Sequence, residues 1–247
     1  MKIVGIIPAR YASTRFPGKP LADICGKPMI WWVYYQTKKA PQINEVYVAT
    51  DDEHIAVTCK QLSIPVVMTS RNCQTSTERV YEASLTVDAD VYVCINGDEP
   101  LIDPDAIEAV IPNSKSDFFA ANLMTSIKSP VEVVDVTNIK VVTDERNCAL
   151  FMSRSPIPYP KAGMAFEYRK HLGVLSYTKE ALRFFVTTLK GKNEMMEDIN
   201  ELRFIEHNKP LRMIDVTIDS LSVDTPKDLE YVRCIIAKQI EKGERIV

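Results

Sequence analysis

Short apolar runs recur along the chain, each closed by polar residues and followed by apolar positions at helical spacing. KIVGII (2–7) leads into a polar loop, and PMIWWVYYQTKKA (28–40) then reads as a helix with a wide apolar face. EVYVAT (45–50) runs into DDEHIAVTCKQL (51–62), where Asp and Glu in the first turn suit the positive end of a helix dipole. PVVMT (65–69) precedes a polar loop and TERVYEASLTV (77–87), and DVYVCIN (90–96) precedes DPDAIEAVI (103–111). This repeated strand-then-helix order predicts an α/β fold with a mostly parallel central sheet and helices on both faces.

Residues from about 117 to 178 break the rhythm. DFFAANLMT, NIKVVTD, CALFMS and HLGVLSY read as strands with little helix between them. They predict a smaller mixed or antiparallel patch, expected as a dimerisation insertion around 125–178. The alternation returns with KEALRFFVTTL, EMMEDINELRFIEHN, the strand LRMIDVTI and a last helix, TPKDLEYVRCIIAKQIEKG. Without a repeat, low-complexity tract or linker, 1–247 reads as one domain.

Composition narrows the function classes. The formal net charge is −3 in 247 residues, so no general nucleic-acid surface is expected and any positive site is local. The six cysteines form no CxxC pair, which fits scattered thiols in a reducing compartment. No run approaches the roughly 20 apolar residues of a membrane span. The expectation is a cytoplasmic protein without membrane insertion.

Against that background IPARYASTRFPGKP (7–20) stands out. It follows the first strand and carries Arg10, Arg15 and Lys19 with no acidic residue among them. Small residues let the backbone approach a ligand, and prolines stiffen the loop before an anion arrives. The spacing is neither Walker A nor GxGxxG, so the alternative is a solvated basic loop. In open α/β sheets ligands bind beyond the carboxyl ends of the strands, and two acidic positions fall there. Asp98 follows DVYVCIN inside NGDEP, where Gly97 allows a tight turn; it is either a Mg²⁺ ligand or part of an acidic turn. In SVDTPKDLE, Thr225, Pro226 and Asp228 read as a helix start, which leaves Asp224 without a structural explanation. Two strand-end aspartates facing a cationic loop fit metal-assisted transfer of a phosphoryl-type group.

IIPARYASTRFPGKPL, GKPMI, VATDD, MTS…QTSTER, NGDEPLI, SRSPIPYP, HLGVLSYT and VDTPKDLE together resemble the 3-deoxy-manno-octulosonate (Kdo) cytidylyltransferases over essentially the whole chain. The resemblance implies a Rossmann-like, GT-A-like nucleotidyltransferase fold, a homodimer and Mg²⁺ as cofactor. It implies CTP and a sugar acid as substrates, joined to give a CMP-sugar and pyrophosphate for lipopolysaccharide or capsule assembly. By resemblance Arg10, Arg15 and Lys19 hold the triphosphate, with the backbone of Pro8 and Ala9 near the cytosine. Gln74, Thr75, Ser76 and Thr77 fall in the base-reading loop, and Asp98 and Asp224 match the metal ligands. Asn96, Arg154, His171, Glu197, Asn200 and Glu201 match positions of the sugar-acid pocket.

Several positions depart from the family pattern. Asn96 stands for a glutamine, Ser76 for a glycine, and Asn200 and Glu201 for glutamate and glutamine. DSLS replaces a glycine-containing lead into VDTP. If the replaced glycine had positive φ, Ser76 would reshape its loop. These changes raise the expectation of altered substrate choice, for instance the 8-amino analogue of Kdo. The competing expectations are a nucleotidyltransferase for another acidic sugar and a weakened relative that only binds nucleotide.

Overall fold

In β1 (Ile3–Ala9) the side chains alternate between two apolar layers. Ile3 and Ile7 join Ile30, Val33, Ile55 and Ile107 on one face of the sheet. Val4 and Ile6 join Val80, Leu182, Phe185 and Phe204 on the other. A strand with period-two alternation and apolar residues at both phases is covered on both sides, as in doubly wound folds. The computed structural model describes residues 1–12, 16–114, 118–162, 166–218 and 221–244.

After β1 come a 3-10 turn (Lys19–Leu21), the paired strands β2 (Asp23–Ile24) and β3 (Lys27–Pro28), and α1 (Met29–Thr37). Three strand–helix units follow: β4 (Glu45–Thr50) with α2 (Glu53–Gln61), β5 (Val66–Met68) with α3 (Ser76–Ser84), and β6 (Val91–Ile95) with α4 (Pro104–Ala109). The middle of the chain supplies β7 (Ala120–Ser126), α5 (Pro130–Val134), β8 (Lys140–Thr143), β9 (Ala149–Ser153) and β10 (Arg169–Tyr177). Then come α6 (Lys179–Thr187), α7 (Lys192–Glu197), α8 (Leu202–Glu206), β11 (Leu211–Asp215) and α9 (Pro226–Glu241).

The central sheet runs β11-β7-β10-β6-β1-β4-β5. β6, β1, β4 and β5 pair in parallel, as do β11 and β7, while β10 is antiparallel to both neighbours. Six of the seven strands on this path therefore point the same way. β8 and β9 form an antiparallel flap that joins the sheet through Arg169 and Lys170 of β10.

One local expectation changes. The strand-rich stretch 125–178 is not one insertion, because β10 lies inside the main sheet and only the β8–β9 flap leaves its path. EMMEDINELRFIEHN forms α7 and α8, with Asp198, whose φ is 52°, following α7. Aspartate tolerates that left-handed conformation better than most residues. The break is held by a buried pair, Arg203 Nε to Glu194 Oε2 at 2.8 Å, with Arg203 also donating to Phe185 O at 2.7 Å.

Candidate active site

The carboxyl ends of β1, β6, β7 and β11 and the amino end of β10 share one edge of the sheet. Two cavities open there, of about 470 Å³ and about 300 Å³. Asn96, Asp98 and Asp224 line both, so the two aspartates stand where the cavities meet.

Pro8, Ala9, Arg10 and Lys19 line the first cavity. Gly18, at φ 69°, takes the left-handed turn that a side chain would strain, and its N–H donates to Tyr11 O at 2.9 Å. Lys19 starts the 3-10 turn immediately afterwards. Its Nζ donates to Asp98 Oδ2 at 2.7 Å and lies 3.4 Å from Asp224 Oδ1. The segments carrying the two carboxylates are themselves fastened by Val223 N to Asp98 O, 2.8 Å. Gly97 serves closeness rather than turn geometry, since a Cβ there would come 2.9 Å from Pro8 O. Arg15 lies outside the described residues.

Gln74, Thr75 and Ser76 also line this cavity, at the amino end of α3. A capping box ties Thr75 and Glu78 to the helix backbone. That leaves Gln74, Ser76 and backbone groups to face a ligand. Ser76 is the first helical residue and has no positive φ, so replacing the family's glycine there costs no backbone strain. Thr77 turns inward, its hydroxyl 3.3 Å from the Tyr177 hydroxyl, and is buried away from the cavity.

Arg154 and His171 line the second cavity with Thr137, Asn138, Glu99 and Lys170. His171 stands beside a bulge in β10, where the pairing with β7 shifts between His171 and Leu175. Two side chains and a backbone bond hold that bulge. Asn122 Nδ2 donates to the carbonyls of Leu172 and Val174 at 2.8 and 3.0 Å. Glu99 Oε1 accepts from Gly173 N at 2.9 Å, and Asn96 N donates to Gly173 O at 2.9 Å. A Cβ on residue 173 would collide with Glu99 and Asn96. Burial, and secondarily the Arg154 charge, lower the His171 pKa from 6.5 to about 4. Its Nδ1 is enclosed and has no hydrogen-bond partner among the described residues. The imidazole is therefore neutral near pH 7.

Three sequence-derived sugar positions sit elsewhere. Glu197 spends its carboxylate on Ser153 Oγ (2.6 Å) and Arg154 N (2.9 Å), which anchors the end of β9. Asn200 lines the first cavity, not the second. Glu201 is buried beside the core and lines neither cavity; desolvation raises its pKa. Of the altered positions, Asn96 and Ser222 of DSLS are the ones that line the second cavity.

The sequence reading did not single out Arg79, Lys170, Lys190 or Asp198, all of which line a cavity, and it noted Glu99 only as the acidic neighbour of Asp98. Arg79 lay within QTSTER, and its buried guanidinium donates to Thr69 Oγ1 at 2.5 Å. Glu99 lay within NGDEP. Lys190 and Asp198 arrive through the break around α7, for which no motif speaks.

A doubly wound sheet whose strand ends gather cations, a helix amino end and two carboxylates is a nucleotide-handling site suited to phosphoryl-type transfer. Residues 4–214 match the family described as cytidylyltransferase, and the chain belongs to that family. A 3-deoxy-manno-octulosonate cytidylyltransferase of Geotalea daltonii is 42% identical, covering 94% of this chain and 97% of that protein. An 8-amino-3,8-dideoxy-manno-octulosonate cytidylyltransferase of Shewanella baltica is 38% identical, covering 93% and 96%. A solved CMP:2-keto-3-deoxy-manno-octonic acid synthetase complexed with CTP superposes with a TM-score of 0.92 at 36% identity, covering 97% of this chain and 100% of that one.

Proposed function

We propose that the protein transfers the cytidylyl group of CTP to a 3-deoxy-octulosonic acid, Kdo or a close analogue, releasing pyrophosphate. The observation that carries this reading is the two-lobed cleft with Asp98, Asp224 and Lys19 at its junction. The first cavity takes CTP, with Arg10 and Lys19 neutralising the triphosphate. The second takes the sugar acid, with Arg154 suited to its carboxylate and neutral His171 to a hydroxyl. Held at the junction, the sugar's anomeric hydroxyl attacks the α-phosphorus. The bond to the bridging oxygen of the leaving pyrophosphate breaks in line, and the hydroxyl proton passes to solvent. Neutralising the departing charge is the largest contribution such a site makes.

Mg²⁺ is the proposed cofactor. Its preferred donors are one or two carboxylates completed by substrate phosphate and water, and Asp98 with Asp224 supply that set. Among the described residues no cluster of three or more His, Cys, Asp or Glu forms a closed protein cage, which fits an ion shared with substrate. When bound, it would polarise phosphate oxygens and lower the pKa of the attacking hydroxyl. A homodimer is proposed through the strand-rich region, where Val131, Val134, Val136, Leu150, Tyr159 and Phe166 are exposed. The cytoplasm is the proposed location, since six free thiols suit a reducing compartment.

The test is pyrophosphate release by purified protein with CTP, Mg²⁺ and either Kdo, its 8-amino analogue or a sialic acid. Turnover with an octulosonic acid is expected. Turnover with sialic acid alone would move the substrate to another class. CTP binding without release for any sugar would leave a nucleotide-binding relative without the activity.

A further inference from the structure

Lys140 is the one lysine that is fully buried among the described residues. It sits in β8, and its Nζ donates to three backbone carbonyls: Asp135 at 3.0 Å, Asn138 at 2.6 Å and Arg154 at 2.5 Å. An ammonium has three protons, so these acceptors exhaust it. The Asp135 carboxylate is turned to Thr137, accepting from its N at 2.8 Å and its Oγ1 at 2.7 Å.

We propose that Lys140 is a positioning residue for the sugar-acid subsite. Its ammonium draws together the turn before β8 and the segment after β9, fixing where Asn138 and Arg154 meet the second cavity. The proposal rests on the function assigned above.

A core position on a strand does not need a charge. An apolar side chain of similar volume is often neutral or better for stability than a buried ion. Desolvation lowers the Lys140 pKa, so folding bears a cost for keeping the cation. What an apolar side chain cannot do is converge three carbonyls from two separate segments. The bracing is reciprocal. Arg154 O receives the lysine, and Arg154 Nη1 donates back across the same gap to Val136 O at 3.0 Å. Arg154 Nε and Nη2 donate to Glu197 O and Asp198 O at 2.7 and 3.1 Å. The guanidinium therefore reaches the cavity already oriented.

Steady-state kinetics of Lys140→Met and Lys140→Gln test this beside the unaltered enzyme. The expected result is a KM for the sugar acid raised about tenfold or more, because small misplacements at a binding site are costly. KM for CTP and the Kd for CTP should stay within about twofold, as expected for an interaction confined to the other substrate's subsite. An unchanged sugar KM in a folded variant overturns the proposal, as does an equal rise in both KM values. A second measurement needs no variant. In unaltered protein carrying ¹⁵N-lysine, the exchange-protected ammonium signal should shift when the sugar acid is added and stay in place when CTP is added. A signal indifferent to the sugar acid overturns the proposal even if neither variant folds. Failure of the unaltered enzyme to turn over any octulosonic acid removes the assigned function, and this inference with it. Turnover by that enzyme with unchanged variants removes the role of Lys140 alone.

Discussion

The two cavities are built differently. The first is made from loops at the ends of parallel strands and the start of one helix, and its residues come in short contiguous runs. Its cations stand at the surface or pair with acidic side chains, as Lys19 does with Asp98. The second lies on the antiparallel strand and its flap, and its polar groups are tied into backbone. Lys140 binds three carbonyls, Asn122 binds two, and Glu99 binds the Gly173 amide. The contrast suggests that the nucleotide side recognises charge, whereas the sugar side recognises shape through a frame fixed beforehand.

The largest expected effect breaks the junction between them. Asp98→Asn should lower kcat by about 10³-fold or more with little change in circular dichroism or in the CTP Kd, since it removes a metal donor and the Lys19 partner together. Retained activity in that variant would refute the metal assignment.

Acid should unsettle the sugar side through His171. Its folded pKa is lowered from 6.5 to about 4, so the unfolded chain binds the proton first as pH falls. The contribution is intact above about pH 6.5, shrinks toward pH 4, and amounts to about 3 kcal/mol across that window. Urea unfolding of unaltered protein and His171→Asn at pH 7 and pH 5 isolates it. The difference between the two proteins should narrow at the lower pH, and a constant difference would contradict the neutral buried imidazole.

Gly173→Ala sharpens the contrast from the frame itself. The added methyl meets Glu99 and Asn96, so a loss of about 1–3 kcal/mol is expected from overpacking. Thermal unfolding should show it, together with a raised KM for the sugar and an unaltered one for CTP. The smallest effect is Asn96→Gln, which adds one methylene where the cavities meet. It should change the preference between Kdo and its 8-amino analogue by about tenfold at most, read as a ratio of kcat/KM values.

The same contrast explains what the residues disclosed in advance. The doubly wound core was legible because β1 carries apolar residues at both phases and helical spacing follows each strand. The cationic loop, Asp98 and Asp224 were legible because strand ends mark ligand sites in such sheets. The sugar side was legible in part: Asn96, Arg154 and His171, matched by resemblance, line the second cavity, but what shapes it was not. The β10 bulge depends on Asn122 and Glu99, which lie far apart in the chain and look like ordinary strand and turn residues. Glu197 and Glu201 matched pocket positions by motif, yet one is consumed by Ser153 Oγ and Arg154 N and the other is buried. The break at Asp198 lacks the glycine that usually announces one, so the sequence does not mark where α7 ends.

The hydrogen bond from Val223 to the carbonyl of Asp98 carries a consequence for how the protein comes into being. The second acidic group of the centre arrives on a late segment, after every strand of the sheet has been made. A growing chain emerging from the ribosome can therefore complete its sheet and still be chemically silent. With Asp224 in the proposed role, it acquires competence only when residues 223 and 224 dock against a turn synthesised more than a hundred residues earlier.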